Sequence, residues 1–272
     1  MLTETNNLPR LVDDPSGRTL GLDLPPGRLL NETYQGPWIH PVMWLADARV
    51  VPGQWSAEAA ARRAAELAPV LVDVGGPLGD PEGWDLLCGN LSYPEDLGAD
   101  EMLSYHWNEL REKRAGGVVA PFDAPWPGLA GAVSSGVDPD AQAAQLADAL
   151  SGDDSWLEEP RLALVSAECN ADIPAAIGWA GALQHEDDAG VLSAVLRSWD
   201  ERFGTRVVAL TANRLVLSVA APPTTLDEAV AVAAEHAAFC PDDLDRSPHR
   251  TLEEYAAREL LGRRTWVHHW DD

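Results

Sequence analysis

The stretch from Asp187 to the C-terminus constrains the fold most, because nearly every segment in it carries its own start or stop signal. Val191, Leu192, Val195, Leu196, Trp199 and Phe203 recur at helical spacing and form one apolar face, while Arg197, Asp200 and Glu201 fall on the side that faces water. Asp187 stands where a cap belongs and Gly204 where a helix ends. Arg206 to Leu210 and Leu215 to Val219 are two runs of strand length joined by a short turn, in which Asn213 suits a left-handed conformation. Thr225-Leu226-Asp227-Glu228 is a capping box: hydroxyl and carboxylate satisfy amides that the first helical turn leaves unpaired. That helix runs to about Phe239, where Pro241 stops it, and Thr251 to Glu254 repeats the device for a helix ending at Gly262. In the tail, Trp266, His268 and Trp270 alternate with Val267 and His269, the pattern of a closing strand.

The first half is less punctuated. Residues 1–19 are polar and turn-rich and read as a flexible arm. Pro41 to Leu45 reads as a strand, Ser56 as the cap of a helix from Ala57 to Leu67, and Val70 to Val74 as a buried strand; this β-α-β order suits a parallel pair. Trp84 to Leu91 looks strand-like. Glu101 to Arg114 reads as a helix with Leu103, Trp107 and Leu110 on one stripe, Met102 and His106 beside it, and Gly116-Gly117 after it. From Gly128 to Glu159 the composition shifts to Ala, Gly, Ser and Asp around one Ala-rich helix at about 140–150, before a strand from Arg161 to Ala167. The expected fold class is α+β: a C-terminal mixed sheet packed against capped helices, with a smaller α/β N-terminal region. The expected division is an arm at 1–19, an α/β region at 20–135, a linker with a helix at 136–160, and an α+β domain at 161–272.

With 44 acidic against 19 basic residues, the formal net charge is -25. Such a surface repels nucleic-acid backbones and anionic membranes, whose affinity for proteins comes largely from Lys and Arg. It attracts a basic protein. No stretch approaches the roughly 18 apolar residues of a membrane helix, and no apolar leader follows a basic start, so a cytoplasmic location is expected. Cys88, Cys169 and Cys240 are sparse, odd in number and without a CxxC pair, which fits a reducing compartment. Asn31-Glu32-Thr33 and Asn90-Leu91-Ser92 match the glycosylation sequon by chance in such a setting.

Phosphate-loop, dinucleotide, zinc-protease, EF-hand and nucleophile-elbow signatures are absent. Gly75-Gly76-Pro77-Leu78-Gly79 reads as a turn, since Pro77 removes an amide that a phosphate cradle needs and no Lys follows. The cluster that deserves weighing is Glu235, His236, Cys240 and Asp242. His236 and Cys240 are four apart, a spacing that puts two side chains on one side of a helix, so an imidazole can lower a thiol pKa or two ligands can share a metal. Against this, Cys240 falls at a helix C-terminus, where the dipole disfavours a thiolate. No further ligand pair stands at a metal-site spacing, although His249, His268 and His269 can approach in space. The plainer reading is a buried thiol and a satisfied core histidine. No cofactor or metal is assigned. The eleven tryptophans read as core wedges rather than a pocket, and Glu186-Asp187-Asp188 as a helix cap rather than a cation site.

The segments IGWAGAL, LSAVLRSWDERFGTRVVAL, RLVLSVAAPPTTLDEAVAVAAEHAAFCPD, TLEEYA and RTWVHHWDD resemble the bacterial DUF4253 family, common in actinobacteria. LGLDLPPGRLL, PVMWLAD and VAPFDAPWPGLA extend the resemblance into the first half, so that it spans most of the chain and is strongest from about residue 161 to 272. It implies an α+β fold for the C-terminal part and brings no established activity. Glu235, His236, Cys240 and Asp242 match the family motif. The chain departs from the family at Asp243 to His249, where an Asn-aromatic-Gln stretch is usual, and at Gln184-His185-Glu186, in place of an Asn-rich turn. Two readings follow. One is a non-catalytic interaction or accessory protein, of immunity type for example, that covers a basic partner. The other is a hydrolase or transferase using Cys240 with His236, or a metal held by His236, Cys240 and a tail histidine.

Overall fold

Strand after strand, alternate side chains go to opposite cores. Met43 and Leu45 pack on one side of the sheet and Trp44 and Ala46 on the other; Ala163 and Val165 oppose Leu162 and Leu164; Leu215, Leu217 and Val219 oppose Val216. This period of two is the strand's own geometry. In the computed structural model the described residues are 6–57, 65–88, 92–113, 124–249 and 251–271. The strands are β1 (Gly27–Leu30), β2 (Glu32–Thr33), β3 (Gly36–Pro37), β4 (Met43–Arg49), β5 (Ala68–Asp73), β6 (Pro160–Val165), β7 (Thr205–Leu210), β8 (Arg214–Val219) and β9 (Thr265–His269). Seven form one sheet in the order β1-β4-β6-β5-β7-β8-β9, and β2 and β3 pair separately. All neighbours in the large sheet are antiparallel except β5 and β7.

One face carries α1 (Ala99–Lys113), α3 (Ile173–Ile177), α4 (Ala189–Phe203) and α5 (Leu226–Phe239); the other carries α2 (Pro139–Ser151), Trp55 and the N-terminal turns. The architecture is therefore α+β, with a mixed sheet covered on both faces. A bulge between Val207 and Ala209 puts Val208 and Ala209 together on the α2 side and returns Leu210 to the α4 side.

The second half follows its local signals closely. α4 buries all six apolar positions and ends at Gly204, whose φ of 59° is left-handed; its cap is Asp188, one residue later than expected, accepting from the Gly190 amide. Both halves of the Thr225 capping box are made, and Thr251 caps α7 (Leu252–Tyr255), which widens into a π-helical turn at Ala256–Leu260. Asn213 does not take a positive φ. Instead its amide side chain donates to the Trp270 carbonyl and its own carbonyl accepts from the Trp270 amide, tying down the tail.

The first half departs from expectation in four places. Residues 8–20 are not a loose arm: Leu8 and Leu11, one turn apart in the segment Leu8–Leu11, are buried with Leu20 in the same core cluster as Trp55 and Ala65. β4 and β5 run in the same direction, but β6 lies between them, so the parallel partner of β5 is β7. Residues 84–88 are turn and coil; Trp84 and Leu86 are buried, yet the segment is held by isolated bonds rather than a ladder, among them those from the Leu87 amide to Gly178 and from the Tyr34 amide to Leu86. The rest of that expected strand, 89–91, lies outside the described residues. Helical structure begins at Gln54, ahead of Ser56, and most of that expected helix, 58–64, also lies outside them, as do Arg114 and Gly116-Gly117.

The expected boundary near residue 160 does not separate two sheets. β6 sits between β4 and β5, both from the first half. α2, expected as part of a linker, buries Ala143, Ala147 and Leu150 against β7 and β8. No helix among the described residues is long and apolar enough to cross a membrane.

Candidate functional site

α5 is almost entirely buried from Val232 to Phe239 because both of its flanks are covered, by α1 on one side and by the 252–260 segment on the other. Two polar residues therefore enter the core side by side. Glu235 is 0% exposed and fully engaged. Its Oε1 accepts from the Ala130 amide at 2.6 Å and from Arg202 Nη1 at 2.7 Å; its Oε2 accepts from Arg202 Nη2 and from Trp199 Nε1, both at 2.7 Å. Arg202 also donates to the Ala130 carbonyl. Every lone pair thus has a strong donor, and this bidentate pair is a structural knot joining α4, α5 and the 124–133 segment.

His236, at 1% exposure, is different. Its Nδ1 lies 3.2 Å from the Tyr255 hydroxyl, and its Nε2 has no hydrogen-bond partner among the described residues. Burial, and then the neighbouring His268, push its pKa well below the ordinary value, so the ring is neutral. The two rings are 4.6 Å apart between centroids. His268 is fully buried on β9, stacked on Trp199, with Nδ1 2.8 Å from Asp243 Oδ2 and Nε2 again without a partner. Asp243 comes from the short helix α6 (Pro241–Arg246), where its other oxygen accepts from the His269 amide at 3.0 Å. One ligand atom from each of His236, Asp243 and His268 lies within 4.8 Å of the others. His236 and Asp243 also border a cavity of about 330 Å³ walled by Tyr255, Glu259, Trp266 and His269.

Cys240 and Asp242 do not join them. α5 ends at Phe239 and Cys240 leaves it with φ -141° and ψ 85°, so the four-residue spacing no longer aligns its side chain with His236. The thiol points at the His269 carbonyl, 3.5 Å away, and burial with Asp243 nearby holds its pKa well above the usual range. Such a thiol is no nucleophile at neutral pH. Asp242 accepts from the Asp271 amide and pins the tail. Cys88 and Cys169 are likewise pushed up to about 11, chiefly by burial.

Of the other weighed features, Asp188 caps α4 and Glu186 bonds the Asp188 amide and His106. Gly75 to Gly79 is a turn closed by a Gly79-to-Gly76 bond. Trp199, Trp266 and Trp270 are core wedges, and together with Phe239 they box in the two histidines. Three contributors escaped the sequence: Arg202, Tyr255 and Asp243, which sit 33, 19 and 25 residues from the partners they serve. Alternation on β9 grouped His268 with Trp266 and Trp270, and the fold turns that side inward.

Residues 161–271 match the model of a family described as a domain of unknown function, DUF4253. The match takes in nearly all of β6, then β7 to β9 and α3 to α7, and so includes Glu235, His236, Cys240, Asp242, Asp243 and His268, while Ala130, His106 and Cys88 lie outside it. No curated protein and no solved structure matches the chain.

Proposed function

We propose that the chain carrying this DUF4253 segment is a non-catalytic interaction protein that binds a cationic protein partner. The observation that carries this reading is how the fold distributes charge. Among the described residues only Asp73, Asp172 and Glu235 are buried acids, so the excess of carboxylates lies at the surface. Three of the arginines are turned inward: Arg202, Arg206 and Arg197 have side chains 13%, 18% and 26% exposed, each engaged by carboxylates. There is one Lys in the chain, and no Lys or Arg at all from Ala64 to Leu110.

Within that span Glu82, Asp85, Glu95, Asp96, Asp100 and Glu101 are exposed, and Tyr93 and Tyr105 stand among them at 46% and 58% exposure. Glu101 and Tyr105 are one turn apart on α1 and share a face. Carboxylates steer a basic partner and fix its register, while tyrosines supply contact area at low entropic cost. The alternative chemistry through Cys240 and His236 draws no support from a buried, high-pKa thiol turned away from the imidazole.

The test is capture from native lysate at about 20 mM and about 500 mM salt, with partners identified by cross-linking and mass spectrometry. A basic protein retained only at low salt, and released by combining Glu101→Lys, Asp96→Lys and Tyr105→Ala, is the expected result. Partners that ignore both the salt and the substitutions, or none at low salt, would sink the reading.

A further inference from the structure

Beside the interaction surface, and independent of it, the histidine pair of the core has no structural explanation of its own. A buried ring nitrogen left without a partner costs about 1–3 kcal/mol, and His236 and His268 each carry one, 0–1% exposed, with their rings 4.6 Å apart. A core needing only to be filled does better with Leu or Phe at both places. His268 already meets Asp243 through Nδ1 at 2.8 Å, a contact in which an ion would take the place of the shared proton, and His236 is oriented through its other nitrogen by Tyr255. A held ring with an available lone pair is how metal-binding histidines are prepared.

We propose that His236, His268 and Asp243 form a binding site for one divalent transition-metal ion, with zinc the best match. Two imidazoles and one carboxylate are the donor set of three-ligand zinc sites that keep a further position open, and zinc imposes no geometry that this pocket has to meet. Ligand atoms of a filled tetrahedral site stand about 3.3 Å apart, given bond lengths of about 2.0 Å. The 4.8 Å bound on their present spread therefore asks for movement of only about 1–2 Å. Asp243 belongs to a six-residue helix at the surface of the core and is the donor best able to supply that movement. The cavity of about 330 Å³ that reaches His236 and Asp243 gives the ion a way in and leaves its outer position facing the space between Tyr255 and Glu259. Glu235, one residue before His236, takes no part, because its four acceptor positions are filled by Arg202, Trp199 and Ala130.

The full-length chain, stripped with chelator and dialysed, is titrated with Zn²⁺ and separately with Co²⁺. Stoichiometry is read by elemental analysis and geometry from the visible cobalt spectrum. One equivalent is expected, with Asp243→Asn and His268→Asn each weakening binding by at least about tenfold and the exposed His40→Ala leaving it unchanged. Asp243→Asn is isosteric and sits at the pocket wall, so it tests the site even if His268→Asn fails to fold, and circular dichroism of the metal-free proteins separates the two cases. Binding of no stoichiometric ion by the wild type, or binding that survives Asp243→Asn and His236→Asn together, overturns the proposal.

Discussion

Glu235 and His236 are consecutive residues of one helix, equally buried, and the structure treats them in opposite ways. The glutamate enters a region where four donors converge on it, three of them from α4 side chains. The histidine enters a region of aromatic rings that fill space but offer its Nε2 nothing. Burial alone therefore says little about a polar group's role; what distinguishes a strut from a site is whether its bonding capacity is exhausted. The Arg202 side of α5 is saturated. The His268 side is not.

The contrast is broken most severely at the saturated side. Arg202→Ala leaves a carboxylate uncompensated at 0% exposure, and a loss of about 3–5 kcal/mol is expected in chemical denaturation. Arg202→Met with Glu235→Leu should cost clearly less than the two single losses summed, because neither charge is then stranded. Additive losses would mean that the knot is not a unit.

A middle case sharpens the comparison. His185 pairs its Nε2 with the Ala238 carbonyl at the end of α5 and faces His106, Glu186 and Asp242. Burial, then the repulsion of His106, lowers its pKa to about 4. The unfolded chain, with an ordinary histidine near 6.5, binds the proton more tightly than the folded one across this interval. Its contribution is therefore complete above about pH 6.5 and is lost as the pH falls towards 4. In urea titrations at stepped pH, His185→Gln should flatten that part of the decline; an unchanged slope would assign the decline to other groups.

The smallest effect belongs to the unsaturated side. His236→Leu removes one weak bond to Tyr255 together with one unpartnered nitrogen, so the metal-free protein should change in stability by less than about 1 kcal/mol. Saturating Zn²⁺, which raises the melting temperature of the wild type by mass action, should no longer do so in the variant. A large loss in the metal-free protein would make His236 as structural as its neighbour.

Sequence reached the elements whose signals are local. The apolar face of α4, the Thr225 capping box, the strands on either side of residues 211–213 and the alternation in β9 each sit within a few residues of their cause. It failed where the partner lies far along the chain. β6 inserts between β4 and β5 after an interval of more than 80 residues, which no local pattern announces, and Leu8 and Leu11 are buried in a cluster whose other members come from as far along the chain as Val216. Trp84 and Leu86 alternate like a strand but are docked individually. At the site, the His236–Cys240 spacing is helical on paper, yet the helix stops one residue short of Cys240. Asp243, the donor in its place, falls in the segment where the chain departs from the family it resembles, so the motif drew attention away from it.

The claim on which this contrast rests is that the two buried histidines and Asp243 reserve space for an ion while Glu235 does not. Anomalous diffraction from crystals soaked in Zn²⁺, collected on both sides of the zinc edge, tests it directly. The account predicts one strong peak bounded by His236, Asp243 and His268, with Glu235 still bound to Arg202. An empty map there, with zinc scattered over exposed carboxylates, would contradict it.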